Sequence, residues 1–464
     1  MKQSRLLIAA PRSGSGKTII TCGLLQLLKE QGRDVVSYKC GPDYIDPMFH
    51  RTVIGVPGGN LDTFFSSGEE IRSIVGSSGH DTAVIEGVMG IYDGITGAPG
   101  QGSCYDVSIV TDTPVLLVIN VKGMGLTMKS IIRGILADDS RCMIRGIVLN
   151  RISERYFREM APVIRKLLEE ISAARGTDVK LMGGIPDSPD IRLESRHLGL
   201  MMPDEIADLR EQIAASAALI SSHIDMDLVL AMMDEAGVLE CSAEAPSALA
   251  PEPELTLAVA RDEAFCFYYE ENIRILRQSG IRIAEFSPLH DSCIPQDADG
   301  LLLGGGYPEL YAEMLSSNTS MMESIRSAIQ SGLPSLAECG GFMTLTDSVE
   351  DSNGRSWPMA GVISAASFNT GKLSRFGYIT VSGRDGHESV LSGLSVRGHE
   401  FHYYDSSASG EDAEAVKPGN GRRWNCIHAG RDHIWGYPHL YYPSCPELIT
   451  RFREAMKEFR DKRK

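Results

Sequence analysis

The sequence predicts an α/β protein of two domains, each with a mostly parallel β-sheet covered by helices. Three observations lead to this prediction. At 464 residues the chain is too long for one hydrophobic core. Short apolar runs alternate with helical patterns in both halves. Between the halves, residues 241–254 contain three prolines, small residues and acids without any periodicity, which is typical of an extended linker.

The predicted elements of the first domain, residues 1–240, begin with buried strands. The apolar runs that predict them are residues 6–10, 35–38, 82–85, 115–121 and 144–149. From residue 204 to 239 apolar residues recur at three- and four-residue spacing, which predicts helices that close the domain.

The second domain, residues 255–464, repeats the alternation of strands and helices. Its predicted strands are residues 255–260, 281–286 and 300–303, and its predicted helices are residues 268–278 and 317–331. The sequence therefore predicts a second α/β sheet after the linker.

Composition excludes several classes of protein. The hydrophobic fraction of 43% and charged fraction of 23% are those of a globular chain. A formal charge of -16 argues against nucleic acid as a partner, since such surfaces are rich in Lys and Arg. No apolar run reaches the roughly 18 residues needed to cross a bilayer, so we expect a cytoplasmic protein without a membrane partner. The ten cysteines form no CxxC pairs, which argues against a disulfide framework or a zinc site.

A glycine-rich loop joins the first predicted strand to a helix, with the sequence Ala10-Pro-Arg-Ser-Gly-Ser-Gly-Lys-Thr18. Its backbone N–H groups suit a polyphosphate, so we expect it to bind ATP. Lys17 would reach the terminal phosphates, and the hydroxyl of Thr18 would ligate Mg²⁺. Because Pro11 occupies the place of the first glycine, the loop is a variant of the usual motif. The candidate nucleotide-binding residues of the loop are Ser13, Gly14, Ser15, Gly16, Lys17 and Thr18.

Carboxylates follow two neighbouring predicted strands. Asp43 lies in the segment after the second run, and Glu86 and Asp93 lie in the segment after the third. Ligands of open parallel sheets gather at the carboxyl ends of the strands, so these segments should meet the loop. We predict Asp43 and Glu86 as Mg²⁺ ligands, Asp43 and Asp93 as catalytic residues, and Tyr44 as a nucleotide contact. A turn aspartate or a helix cap is the alternative for each acid.

In the second domain, Cys339 lies where a buried strand should end and a helix should begin, in Ala337-Glu-Cys-Gly-Gly341. A cysteine on such a sharp turn is exposed to substrate, and the N–H of Gly340 can face an oxyanion. An upstream glycine turn offers a second donor at Gly305 or Gly306. We therefore predict a nucleophilic Cys339. The spacing does not choose its general base among His399, His402 and His439, because such a group is assembled in space.

These motifs together resemble the cobyrinate a,c-diamide synthase family, the corrin-ring amidotransferases of cobalamin biosynthesis. The resemblance implies an N-terminal ATPase fold similar to dethiobiotin synthetase and the partitioning ATPases, followed by a class I glutamine amidotransferase domain. It identifies His439 as the catalytic histidine, whereas the usual third carboxylate of the triad has no match, and Tyr441 replaces a second histidine. The segments that carry the resemblance are residues 13–18, 39–47, 60–62, 86–94, 149–151, 196–200, 303–309, 337–341 and 397–402.

The resemblance also implies the reaction. MgATP phosphorylates a side-chain carboxylate of the corrin, and ammonia from glutamine displaces the phosphate, first at one acetate and then at another. The expected partners are ATP, L-glutamine and a cobyrinate-like tetrapyrrole, and a homodimer is the assembly to consider. Nickel-sirohydrochlorin and hydrogenobyrinate a,c-diamide synthases remain alternatives. An alternative of another class is a partitioning-type ATPase switch whose second domain only binds.

Overall fold

The computed structural model describes residues 2–95, 101–188, 209–239, 255–384, 386 and 388–463. The chain forms two compact units, residues 1–243 and 244–464. The predicted linker at 241–254 and the segment at 196–200 lie outside the described residues. Among the helices of the described part, none is both long and apolar enough to span a membrane.

The first unit is built on a sheet of seven parallel strands in the order β3-β2-β4-β1-β5-β6-β7. Its strands are β1 (Ser4–Ala9), β2 (Val35–Cys40), β3 (Gly58–Leu61), β4 (Thr82–Glu86), β5 (Val115–Asn120), β6 (Ile144–Asn150) and β7 (Lys180–Ile185). Its helices are α1 (Lys17–Glu30), α2 (Ile45–Phe49) continued by a π-helical turn (His50–Ile54), α3 (Gly68–Gly76), α4 (Cys104–Val110), α5 (Met128–Asp138), α6 (Glu154–Arg175), α7 (Leu209–His223) and α8 (Met226–Met233).

Strand β1 shows why this sheet is buried on both faces. Leu6 and Ile8 pack into one apolar cluster, and Leu7 and Ala9 pack into another on the opposite face. All four side chains are fully buried, because successive side chains of a strand point to opposite faces. Continuous apolar runs therefore predict β1, β2, β4, β5 and β6, and the structure contains them.

Strands β3 and β7 are not predicted from the sequence. Strand β3 has the sequence Gly-Gly-Asn-Leu, and β7 is interrupted by Gly183 and Gly184. A β-carbon on Gly183 would overlap the carbonyl oxygen of His223, so close packing against the end of α7 requires glycine there. Sequence patterns that rely on apolar runs miss strands of this kind.

The second unit contains a six-stranded sheet in the order β20-β21-β11-β10-β8-β9, in which β20 alone is antiparallel, together with a four-stranded and a five-stranded sheet. Its strands are β8 (Leu255–Ala260), β9 (Ile281–Phe286), β10 (Gly300–Leu303), β11 (Ser335–Glu338), β12 (Thr346–Glu350), β13 (Ser356–Pro358), β14 (Ile363–Asn369), β15 (Arg375–Gly383), β16 (Ser395–His402), β17 (Tyr404–Ser406), β18 (Ala413–Val416), β19 (Arg423–Cys426), β20 (His428–Ala429), β21 (His433–Gly436) and β22 (His439–Leu440). Its helices are α9 (Glu270–Gln278), α10 (Ala312–Ser317), α11 (Thr319–Gln330), α12 (Gly340–Leu345), a 3₁₀ turn (Tyr442–Ser444) and α13 (Pro446–Arg463).

The predicted α/β class is confirmed for both units, and β8, β9 and β10 coincide with the predicted strands. The part of the second unit from β12 to β19, which is antiparallel except for the parallel pairing of β12 with β14, is not predicted. One of its sheets has the order β19-β18-β15-β16-β22 and pairs His399 with His439. This pairing places β16 beside β22, the strand that follows β21 in the chain.

Candidate active sites

The phosphate loop lies between β1 and α1, where the sequence places it. Gly14 and Gly16 have φ angles of 73° and 95°, in the left-handed region that favours glycine. The side chain of Asn150, at the end of β6, donates from Nδ2 to the carbonyl of Ser15 at 2.8 Å. A β-carbon on Gly16 would overlap that same Nδ2. Asn150 therefore fixes the loop from the neighbouring strand end, a role that the sequence analysis does not assign.

Lys17 is held across the phosphate loop by backbone carbonyls. Its Nζ donates to Met89 O at 2.6 Å and to Arg12 O at 3.5 Å. Burial and the nearby charge of Lys39 lower the pKa of Lys17. A desolvated ammonium beside a second cation is stabilised by an anion, so the site is suited to a phosphate group.

Glu86 is fully buried beside the loop, at the end of β4. Its Oε1 accepts hydrogen bonds from Thr18 Oγ1 at 2.6 Å and from Lys39 Nζ at 2.9 Å. Its Oε2 lies 3.5 Å from His50 Nε2. Burial by itself raises the pKa of Glu86, but Lys39, His50 and Thr18 outweigh it and hold the pKa below its usual range. The carboxylate is therefore ionised and next to the Thr18 hydroxyl, the pair that the sequence proposes for Mg²⁺.

Asp46 is a buried acid at this site that the sequence analysis does not single out. It forms an ion pair with Lys39, and both side chains are almost fully buried. Burial and the charge of Glu86 raise the pKa of Asp46. In the sequence, Asp46 is marked only by its place in the segment 39–46 that follows the second apolar run. Its partner is known only once β2 and β4 are paired, which places Lys39 opposite Glu86.

Asp43 and Asp93 are each engaged in a local turn. Asp43 is half-buried, and its Oδ1 accepts from Ile45 N at 2.9 Å at the start of α2, next to the half-buried Tyr44. Asp93 is exposed, and its Oδ2 accepts from Gly90 N at 2.8 Å. These contacts agree with the turn and cap roles considered as alternatives, and the catalytic and metal-binding roles of Asp43, Tyr44 and Asp93 stay predictions.

A metal ion in the first unit would take few protein ligands. Within the described residues, no group of three or more His, Cys, Asp or Glu side chains is arranged to hold a metal. Mg²⁺ at nucleotide sites is commonly held by one or two carboxylates together with phosphates and water. The oxygens of Thr18 and Glu86 fit that limited contribution.

Cys339 lies on the turn between β11 and α12, as predicted. It has a φ of 49°, which is uncommon for a residue other than glycine. Its N–H donates to Gly436 O at 2.8 Å, and the N–H of Gly341 donates to Gly304 O at 2.9 Å. The hydrogen bonds to two neighbouring strand ends hold the strained turn in place.

The predicted glycines adjoin the cysteine turn. A β-carbon on Gly340 would lie 3.1 Å from Gly306 N, and one on Gly306 would overlap the carbonyl oxygen of Ala264. A β-carbon on Gly305 would overlap His439 Cε1. The glycine turn and the cysteine turn therefore approach one another as closely as their backbones allow, with His439 beside them.

His439 is the histidine that the structure places beside the thiol. Its buried imidazole is close enough to Cys339 for the two groups to interact electrostatically, and its Nδ1 lies 3.8 Å from Glu338 Oε2. Burial lowers the pKa of His439, but Cys339 and Glu338 outweigh burial and raise the pKa to about 10. By contrast, burial lowers the pKa of His399 to about 3 and that of His402 to about 4. This geometry favours His439 as the base, and the assignment stays a prediction.

Gly305→Ala tests the close approach of the glycine turn to His439. We expect the variant to lose glutamine hydrolysis by about 10-fold or more, because the added methyl must displace the imidazole. Initial rates of glutamate release check this. Gly134→Ala is the control, because Gly134 has open space around it and an ordinary φ. Gly332→Ala is unsuitable, because a side chain at its φ of 90° would be strained. Equal glutamate release by Gly305→Ala and the unmodified protein would show that the imidazole position is unimportant.

Comparison with known proteins supplies the family. Residues 6–200 match the family described as the CobQ/CobB/MinD/ParA nucleotide binding domain. Residues 256–442 match the CobB/CobQ-like glutamine amidotransferase domain. The cobyrinate a,c-diamide synthase of Priestia megaterium is 34% identical over 471 residues, covering 100% of this chain and 99% of the relative. The chain belongs to the cobyrinate a,c-diamide synthase family.

Two further members of the cobyrinate a,c-diamide synthase family show the same full-length match. The Picrophilus torridus synthase is 36% identical over 457 residues, covering 97% of this chain and 98% of its own length. The Listeria innocua synthase is 37% identical over 467 residues, covering 98% and 100%. The protein is therefore a ligase that uses glutamine as its amide donor, with a nucleotide-binding domain. These matches confirm the predicted ligase and not the alternative of a partitioning-type ATPase switch.

Proposed function

We propose that this protein amidates the a and c acetate carboxylates of cobyrinate, using ATP and glutamine, in cobalamin biosynthesis. The full-length match to cobyrinate a,c-diamide synthases carries this proposal, since it covers both domains in one alignment. The geometry supports a division of labour. The phosphate loop serves carboxylate activation, and Cys339 serves the release of ammonia.

In the first unit, the substrate carboxylate oxygen attacks the γ-phosphorus of ATP, which forms an acyl phosphate and ADP. Ammonia then attacks the acyl carbon and displaces phosphate, leaving the amide. A carboxylate needs this activation because its own leaving group would be oxide. Lys17 binds the terminal phosphates and balances their growing charge. Thr18, Glu86 and Asp43 would hold Mg²⁺, which neutralises phosphate charge when bound.

In the second unit, the thiolate of Cys339 attacks the side-chain amide carbon of glutamine. The N–H of Gly340 and an N–H of the turn at Gly305 and Gly306 stabilise the oxyanion. The imidazolium of His439 protonates the leaving nitrogen, which departs as ammonia and leaves a thioester at Cys339. Water assisted by neutral His439 then hydrolyses the thioester, which releases glutamate and restores the thiol.

The substrate is tested by offering cobyrinate, hydrogenobyrinate and nickel-sirohydrochlorin side by side with ATP and glutamine. We expect cobyrinate to be converted with a mass change of two amidations, since each event replaces one hydroxyl by an amino group. Mass spectrometry of the products and the ratio of kcat/KM values check this. Preference for nickel-sirohydrochlorin or hydrogenobyrinate would overturn the proposed substrate and leave the amidation chemistry intact.

A further inference from the structure

The catalytic pair of the second unit has an acidic neighbour that the chain order does not reveal. Glu338 precedes Cys339 at the end of β11, whereas the chain after His439 continues with Leu440 and Tyr441 and offers no carboxylate there. The Glu338 side chain is one-tenth exposed, and its Oε2 lies 3.8 Å from Nδ1 of the buried His439. One carboxylate oxygen of Glu338 is thus directed at the imidazole.

The other oxygen of Glu338 is fixed by donors from the segment that follows His439. Oε1 accepts from Tyr442 Oη at 2.8 Å and, at 3.4 Å, from the N–H of Leu440. Burial and the charge of Glu338 raise the pKa of Tyr442, so its hydroxyl remains a donor. The carboxylate is therefore held by two donors on one side while it faces His439 on the other.

Asn272 of α9 fixes the donor segment in turn. Its Nδ2 donates to Leu440 O at 2.7 Å, and its Oδ1 accepts from Tyr442 N at 2.9 Å. The Asn272 side chain is buried, so water competes little for these bonds. The distance between Glu338 and His439 is thereby set by a connected hydrogen-bond network.

We propose that Glu338 is the positioning residue of His439 and takes the place of the usual third carboxylate of the triad, which has no match in the sequence. This inference rests on the proposed role of Cys339 in glutamine hydrolysis. Because Nδ1 faces the carboxylate, Nε2 is the ring nitrogen left for the thiol of Cys339. The carboxylate fixes that orientation and stabilises the imidazolium that protonates the leaving nitrogen of glutamine.

The other titratable groups around His439 do not supply this charge. His399 lies opposite His439 in the β16–β22 ladder, and burial keeps both His399 and His402 neutral at pH 7. Burial also raises the pKa of Glu400 to about 7, so this acid is only partly ionised there. Besides Cys339, Glu338 is the group whose contact raises the pKa of His439.

Glu338→Gln tests the proposal with almost no change in volume. We expect kcat/KM for glutamine hydrolysis to fall by about 100-fold, because the imidazolium loses its counter-charge. The alkaline limb of the pH profile should move to lower pH by about 1 unit or more, since removing an adjacent negative charge lowers the pKa of His439. Amidation with free ammonia should continue at the unmodified rate.

Asp299→Asn is the matched control. Asp299 is also a buried carboxylate of this unit and accepts from Thr256 N at 3.0 Å, but it lies before β10, at the end of the strand opposite to the glycine turn. This variant should leave the pH profile unchanged. Tyr442→Phe, which removes one donor to Glu338, should shift the alkaline limb in the same direction by less.

The outcomes separate this inference from the proposed function. An unchanged pH profile and glutaminase rate in Glu338→Gln, alongside an inactive Cys339→Ala, would overturn the role of Glu338 and keep that of Cys339. Full glutaminase activity in Cys339→Ala would overturn the proposed function itself. If Glu338→Gln also loses ammonia-dependent amidation, the folded protein is damaged, and an unshifted alkaline limb in the milder Tyr442→Phe variant would then overturn the inference.

Discussion

Cys339→Ala is expected to abolish glutamine-dependent amide formation and to retain amidation with free ammonia. The thiolate is the only group in the proposed mechanism that attacks glutamine, so glutamate release should fall by about 10³-fold or more. Ammonia supplied in solution bypasses that step. Parallel assays with glutamine and with ammonium chloride, read by mass spectrometry of the tetrapyrrole product, measure both activities in one preparation.

Cys426→Ala is the matched control for the cysteine variant. Cys426 is also buried in the second unit, in β19, and burial raises the pKa of its thiol. A buried protonated thiol is a poor nucleophile, so this variant should keep glutamine-dependent activity. If Cys339→Ala loses both nitrogen donors together, the claim that glutamine hydrolysis and amidation occupy separate sites is wrong.

The phosphate loop shows what local sequence can establish. Its glycines, Lys17 and Thr18 are contiguous, and their roles follow from one strand, one turn and one helix. Glu86 is also accessible to prediction, because it ends a buried strand adjacent to β1. The ion pair of Asp46 with Lys39 is harder to predict, since it depends on which residues of the chain after β2 turn back over the sheet.

The cysteine site marks the limit of such reasoning. Cys339 and the glycine turn are recognisable in sequence, but the choice of His439 depends on the resemblance or on the fold, which places His439 beside Glu338 and the glycine turn. Glu338 lies within the motif of residues 337–341, but the sequence alone assigns it no role. Its partner is 101 positions away, and only the paired strands bring the two side chains together.

The pattern of apolar residues likewise explains which strands are predicted from the sequence and which are not. Strands that are buried on both faces, such as β1 and β5, read as continuous apolar runs and are predicted. Strand β15 has only two fully buried residues, Ile379 and Val381, among nine positions, so it gives no continuous apolar run, and it pairs with β16 across an intervening segment of chain. The four-stranded and five-stranded sheets are therefore known only from the structure.

Lys17→Ala is expected to abolish amide formation with glutamine and with free ammonia alike. The ammonium of Lys17 lies across the phosphate loop, and its loss should lower the rate of carboxylate activation by about 10³-fold. Glutamate release at Cys339 should continue, because it uses no phosphate. Product mass, ADP release and glutamate release, measured on the same sample, check the three statements.

We expect the Lys17→Ala variant to remain folded, and thermal denaturation checks this. Burial and Lys39 lower the pKa of Lys17, so the charged side chain opposes folding at pH 7, and its removal should not lower the Tm. Lys29→Ala is the control: it removes an exposed lysine from the last turn of the same helix and should leave amidation intact. ADP formation and amidation at the unmodified rate in Lys17→Ala would show that the loop does not carry the phosphoryl transfer. If Lys17→Ala lost only the glutamine-dependent reaction, Lys17 would act in the supply of ammonia and not in carboxylate activation, contrary to the two-step scheme.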